Sequence, residues 1–265
     1  MGRFSNKAAI VTGGASGIGR AILDQLAAEG CNVTFSDLSD AGEQVASELR
    51  AKGQPVDFIK GDMAEESTCR TIVERTAAKW GRVDFLVNNA FSFISKGTDA
   101  TREEWDRMMR VGPIAYATMA ALAAPHMKAA GGGAIVNISS ISAFIAQPNR
   151  WTYNTAKGAV HNLTKCQALD LAPMGIRVNS VSPGWIWTAE VLKAAQGDRK
   201  KWTPVWGKFH MLRRLGEPAE VARGIAFLLS DDASFITAVD LPIDGGYQGM
   251  GSEGLGEASS FAGSE

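Results

Sequence analysis

Lys7-Ala8-Ala9-Ile10-Val11-Thr12-Gly13-Gly14-Ala15-Ser16-Gly17-Ile18-Gly19 carries three kinds of signal in a row. Lys7–Thr12 is a short, mostly apolar run, the pattern of a strand buried on both faces. The glycines that follow allow a tight turn and a close approach of backbone to another group. From Gly17 to Glu29 the apolar spacing becomes helical, and Gly30 stops it. A strand that runs through such a turn into a helix makes an anion site, because free N–H groups and a positive dipole end gather at the helix start. The spacing is G-x-x-x-G-x-G, not the G-x-G-x-x-G of the general dinucleotide fingerprint. Taken alone, the turn also reads as an ordinary strand–helix connection.

The same alternation continues along the chain. Asn32–Ser36, Val56–Lys60, Val83–Val87, Ala134–Ser139, Arg177–Val181 and Val239–Ile243 read as strands. Ala41–Ala51, Glu65–Lys79, Arg102–Ala130, Thr152–Leu171 and Pro218–Leu229 have helical spacing. The long Arg102–Ala130 stretch is interrupted at Gly112-Pro113, since a proline removes one intrahelical bond. Strand–helix alternation implies a parallel sheet covered on both faces, and right-handed crossovers make it doubly wound. The expected fold is therefore a single α/β domain of about seven strands. Gly184–Leu215 departs from the pattern, with no strand signal and no regular periodicity. Gly245–Glu265 is rich in Gly and Ser and reads as a tail, so the domain is expected over residues 1–246 and the tail over 247–265.

Composition narrows the function. The chain has 265 residues, 45% of them hydrophobic, and a net charge of −1. That supports a full core and gives no broad attraction to nucleic acid or to an anionic membrane. No apolar run is long enough to span a bilayer, and the N-terminus lacks a signal-peptide stretch. Cys31, Cys69 and Cys166 are odd in number and widely spaced, which suits a reducing cytoplasm better than a disulfide framework. His210 has no companion ligands at metal-site spacing, so no metal is expected.

Asp37 closes the second strand, 18 residues after Gly19. A carboxylate there can accept hydrogen bonds from both adenosine ribose hydroxyls and would repel an added phosphate, which points to NAD over NADP. Leu38 follows and offers no compensating base. A turn or helix-cap role is the plainer alternative for Asp37. Tyr153 and Lys157 stand at i and i+4, on one face of a helix. A free phenol titrates near 10 and is a poor base at neutral pH, but a nearby ammonium favours the phenolate. Such a pair is also an ordinary surface feature. Ser140 precedes Tyr153 by 13 residues, at the carboxyl end of the fifth strand, where open α/β sheets bind ligands. Ser139 is its neighbour, but strand alternation points the two side chains opposite ways.

With these pieces together, the chain resembles the short-chain dehydrogenase/reductase family from about Lys7 to Gly246. The resemblance rests on the Thr12–Gly19 turn, Asp62-Met63, Asn88-Asn89-Ala90, and Ser140 with Tyr153 and Lys157. Arg177-Val178-Asn179, Pro183-Gly184, Thr188 and Asp244-Gly245-Gly246 complete it. It implies a Rossmann-type fold and an oxidoreductase that interconverts a secondary alcohol and a ketone with Tyr153 as general acid/base. It implies cofactor contacts at Gly13, Ser16, Gly17, Ile18, Gly19, Asp37 and Leu38. Asp62 and Met63 would flank the adenine, and Asn89 and Ala90 the adjoining ribose. Lys157 would hold the nicotinamide ribose as well as tune Tyr153. Pro183, Gly184, Ile186 and Thr188 would lie at the carboxamide end. A homo-oligomer, with a tetramer as the expected state, follows from the same resemblance.

The chain departs from the family at two places near this site. Gly112 stands where the family has an asparagine that holds a helix distortion and a relay water. Gly112-Pro113 is expected to preserve the break by backbone means, with an open carbonyl facing the Lys157 side. Phe91 replaces the glycine that commonly follows Asn-Asn-Ala. Beyond these, Trp151, Trp185, Trp187, Trp202 and Trp206, with Phe209, crowd the segment expected to form the substrate lid at about 185–215. Such rings suit an aromatic or alicyclic substrate or the apolar face of a sugar, or they stabilise the lid itself.

Overall fold

The computed structural model describes residues 2–255; residues 256–265 of the expected tail lie outside the described residues. Seven parallel strands form one sheet in the order β3-β2-β1-β4-β5-β6-β7. They are β1 (Ala8–Thr12), β2 (Asn32–Asp37), β3 (Val56–Lys60), β4 (Phe85–Asn88), β5 (Gly133–Ile138), β6 (Ile176–Pro183) and β7 (Asp240–Ile243). The helices are α1 (Gly17–Ala28), α2 (Ala41–Ala51), α3 (Glu66–Trp80), α4 (Arg102–Met109), α5 (Ala115–Ala129), α6 (Trp151–Leu171), α7 (Ala189–Ala194), α8 (Arg199–Gly207) and α9 (Pro218–Leu229). This is the doubly wound α/β fold expected from the alternation.

The strands are buried on both faces because helices cover both. In β1, Ala9 and Val11 pack into a core with Leu23 and Leu26 of α1 and Ile225 and Leu229 of α9. Ile10, pointing the other way, joins Leu86, Ile135 and Val178 against Ile72 of α3 and Met119 and Met127 of α5. Each such aliphatic side chain contributes about 1.5–3 kcal/mol by leaving water. The sheet edge beyond β6 is tied by Arg177, whose guanidinium donates to the carbonyls of Leu228, Leu229, Ser230 and Ile236. It thereby satisfies the open carbonyls at the end of α9.

One expectation is corrected. The segment 184–215 showed no regular pattern in sequence, yet it contains α7 and α8. Thr188 caps α7 by accepting from the Val191 N–H, and Asp198 caps α8 by accepting from the Lys201 N–H. The helices are short, and Gly197 and Pro204 interrupt the apolar spacing, so no periodic signal builds up over the usual window. The beginning of the tail lies against this segment: Leu212 N–H donates to the Gly245 carbonyl, and Arg213 Nη2 donates to the Gly254 carbonyl at 2.6 Å. Among the described residues, no helix is long and apolar enough to cross a membrane.

Candidate active site

All strands run the same way, so the ends of β1, β4, β5 and β6 open on one edge of the sheet. From β1 the chain winds outward to β2 and β3, and from β4 it winds in the opposite direction. The crevice between β1 and β4 is therefore the switch point at which such sheets take ligands.

The glycine turn sits at this crevice. Gly13 has φ of +70°, a conformation that disfavours any other residue. Its N–H and that of Gly14 donate to the Ser36 carbonyl at 2.7 and 3.0 Å. A Cβ on Gly19 would stand 1.9 Å from the Gly13 carbonyl oxygen, so the turn closes only over a glycine there. Ser16 precedes the first turn of α1 in extended conformation, and its side chain forms no cap. The N–H groups of Gly17, Ile18 and Gly19 are thus left for an anion. Thr12 and Asn89 stitch the turn to β4. Thr12 Oγ1 accepts from the Asn89 and Ala90 N–H groups at 3.0 Å each, and Asn89 Nδ2 donates to the carbonyls of Thr12 and Gly13. Thr188 comes within 3.4 Å of where a Gly17 side chain would start, which brings the beginning of the lid onto the same turn.

Asp37, at the end of β2, accepts from Ala15 N–H and from Ser39 N–H at 2.9 Å each. Both the turn role and a ligand role remain compatible with it, since a carboxylate has about four lone-pair sites. Leu38 is 59% exposed beside it. Asp62 accepts from Ala64 N–H and pairs with Arg107 Nη1 at 2.6 Å, while Arg107 Nε donates to Ser92. Burial pushes the Asp62 carboxyl up, but the Arg107 hydrogen bond and charge outweigh it and hold it below the usual range. Nothing in the local sequence linked Arg107 to Asp62. Met63 is buried next to Ser36, with sulfur and hydroxyl 3.4 Å apart.

The other half of the site is built by β5 and α6. Asn137 of β5 bonds Asn88 of β4 and donates to Thr164 and Gln167 of α6, all buried. Thr152 donates to the Ile94 carbonyl and accepts from Lys96 N–H, pinning the start of α6 to the loop after β4. Ser139 and Ser140 diverge as alternation requires. Ser139 Oγ donates to the Lys157 carbonyl, while Ser140 Oγ accepts from Ser142 N–H. Ser140 lies on the Tyr153 side. Burial holds the Tyr153 phenol above its usual range, and the Ser140 hydroxyl and the Arg150 charge offset only part of that rise. Lys157, one turn along, is 3% exposed, and its Nζ donates to the Ile138 carbonyl at 2.8 Å. Burial lowers its ammonium to about 7. The structure thus gathers Ser140, Tyr153 and Lys157 at the end of β5.

Pro183 ends β6 and Gly184 follows it, and a side chain on Gly184 would lie 2.9 Å from Asp244 and 3.0 Å from His210 Nε2. His210 is fully buried and accepts the Trp185 N–H on that nitrogen. Burial lowers its pKa, consistent with a neutral acceptor. Ile186 is buried in the core and bridges to Gly216. Four of the five tryptophans pack on one another: Trp202 stacks on Trp206 at 4.6 Å, with Trp185 and Trp187 at 5.2 and 6.1 Å from the same ring. They make a small core for the lid. The ring nearest Tyr153 is instead Phe93, 4.9 Å away and 58% exposed.

The helix break expected at Gly112-Pro113 is present. Residues Arg110–Ile114 widen into a π turn, and Gly112 is non-helical at φ −88° and ψ −111°. The Ala115 N–H reaches back to the Arg110 carbonyl and also to that of Gly112. The carbonyl of Gly112 itself is therefore engaged, and Phe91 occupies the space where a side chain at Gly112 would start.

Comparison with known proteins places this architecture. Residues 13–248 match the family model described as enoyl-(acyl carrier protein) reductase. The chain belongs to the short-chain dehydrogenase/reductase family. It is an oxidoreductase enzyme of that family. It is 38% identical over 252 residues to the cyclopentanol dehydrogenase of Comamonas sp. (strain NCIMB 9872), covering 93% of this chain and 99% of that one. It is 37% identical over 250 residues to the L-fucose dehydrogenase of Mus musculus, covering 93% and 90%. The crystal structure of gox2181 superimposes with a TM-score of 0.87 at 30% identity, covering 94% of this chain and 98% of that one.

Proposed function

We propose that this short-chain dehydrogenase/reductase uses NAD to oxidise a secondary alcohol on an alicyclic or aromatic substrate, with Tyr153 as general base. The observation that carries the reading is the convergence of Ser140, Tyr153 and Lys157 at the sheet edge that the glycine turn also faces. Ser140 holds the carbinol oxygen. The Tyr153 phenolate, favoured by the Lys157 ammonium, takes the hydroxyl proton as the carbon–oxygen double bond forms. A nicotinamide held at this edge by Lys157 and the residues after β6 would supply the acceptor for the hydride of the carbinol carbon. Ketone reduction runs through the same groups in reverse.

The residues present suit this cofactor. The cradle over Gly13 and Gly19 admits no side chain, the N–H groups opening α1 suit a pyrophosphate, and Asp37 suits a ribose diol. Asp62, Met63, Asn89 and Ala90 would line the adenosine half. Lys157, Pro183, Gly184, Ile186 and Thr188 would line the nicotinamide half. Phe93 gives the reacting carbon an apolar wall, which fits a cyclic hydrocarbon skeleton. The likeness to cyclopentanol dehydrogenase supports the same class, and the likeness to L-fucose dehydrogenase supports a sugar as the second reading. Reduced-nicotinamide absorbance with NAD and NADP, across alicyclic alcohols, aryl carbinols, dihydrodiols and sugars, tests both. Turnover is expected with NAD and a cyclic alcohol; preference for NADP, or turnover of sugars alone, rejects the first reading.

We read the assembly as a homotetramer. Cys31 and Cys69 are buried and unpaired, as suits the cytoplasm. Light scattering at micromolar concentration is expected to report about four chains; a monomer rejects the assembly.

A further inference from the structure

The two departures near the site, far apart in sequence, meet in space. A Cβ on Gly112 would stand 2.6 Å from Phe91 Cε2 and 3.1 Å from its Cζ, so the Phe91 ring fills the volume that any side chain at 112 would need. The Lys157 ammonium lies 3.6 Å from the centroid of the same ring. The ring also meets Tyr153 edge-on at 5.7 Å and Tyr116 at 6.4 Å. Phe91 therefore touches the helix break, the ammonium and the phenol at once.

We propose that Phe91 is a positioning residue: its face keeps the Lys157 ammonium charged and aimed beside Tyr153, and the missing side chain of Gly112 is what admits the ring. The inference rests on the role given to Tyr153 and Lys157 above. An ammonium in a dry site has lost its hydration, and the Ile138 carbonyl satisfies one of its three donors. An aromatic face supplies negative potential to the cation, most strongly where water is excluded. Unlike a carboxylate, the ring neutralises nothing and accepts no proton, so the positive charge stays available to the phenolate. The groups facing this cluster are Tyr153 and Arg150 at the start of α6, Tyr116 of α5 and Ser140 after β5. Burial is the influence resolved on Lys157, with no carboxylate acting on it. The ammonium meets the Ile138 carbonyl at 2.8 Å and the Phe91 face at 3.6 Å, with the Tyr153 ring farther off at 5.8 Å.

The test uses the full chain. Progressive fluorination of the ring at Phe91 drains its face of negative potential while nearly keeping its shape. The low-pH limb of kcat for alcohol oxidation is expected to move upward in steps, reaching about one pH unit in Phe91→Leu. The Lys157 ammonium, followed by NMR of labelled lysine, should titrate lower in the same series; this arm needs no turnover. Gly112→Ala should displace the ring and give the same shift, with a lowered Tm, and Phe91→Leu in the Gly112→Ala background should restore part of that Tm. Folded Phe91 variants whose Lys157 titration and pH limb are unmoved overturn the proposal, as does a Gly112→Ala loss of Tm that Phe91→Leu leaves intact. Absence of turnover in the parent rejects the proposed function alone, because the lysine titration and the stability cycle still read Phe91.

Discussion

Tyr153→Phe is expected to lower kcat by about 10²- to 10⁴-fold while leaving the fold and NAD affinity nearly unchanged. The change removes one oxygen and its exchangeable proton. Tyr153 is held by α6, whose position is set by Thr152 on the loop after β4 and by Thr164 and Gln167 on Asn137, none of which touches the phenol oxygen. The helix therefore has no reason to move. Ser140 and Lys157 remain, so substrate and cofactor can still be gathered without a group to take the carbinol proton. Steady-state kinetics with a cyclic alcohol, paired with NAD titration by fluorescence and a thermal melt, separates the outcomes. Near-normal kcat in a well-folded Phe variant would reject Tyr153 as the acid/base.

The pair Asp37→Ser and Leu38→Arg is expected to shift preference from NAD toward NADP by about 100-fold in the ratio of kcat/KM. Two effects act in the same direction. Hydrogen bonds to a charged group contribute about 1.5–3 kcal/mol, and the substitution removes a carboxylate that would accept them from a ribose diol. A guanidinium at an exposed position adds a charge-assisted partner for the extra phosphate. Asp37 also accepts from Ala15 N–H and Ser39 N–H, so the serine loosens the turn and NAD binding weakens further. Initial rates with both cofactors at equal concentration measure the ratio. An unchanged ratio would show that the Asp37 carboxylate serves the turn and does not select the cofactor.

These two experiments address residues legible in the sequence, and the reason is physical. The apolar run into Gly13 and the helical spacing after Gly17 are short-range patterns, each complete within one turn or strand. Tyr153 and Lys157 share a face because helix geometry dictates it, and Ser140 separates from Ser139 because a strand alternates. Pro113 announced a break in the long helix by its chemistry alone. Repetition of strand and helix then restricted the fold to a parallel sheet wound in both directions.

Contacts between distant segments had no such signature. Arg107 of α4 clamps Asp62 in the loop after β3, and Asn137 ties β5 to both β4 and α6 through buried amides. The lid tryptophans read in sequence either as substrate faces or as rings that stabilise the lid, and only the folded chain packs Trp185 and Trp187, from before α7, against Trp202 and Trp206 of α8. Gly112 and Phe91 each read as an isolated departure, and only the folded chain brings a ring into the space that a glycine leaves and onto the ammonium of Lys157. Local sequence by itself determined the elements, their order and the reacting groups, since backbone geometry and side-chain chemistry act over a few residues. Tertiary structure decided what surrounds those groups, since packing joins residues that no periodicity connects.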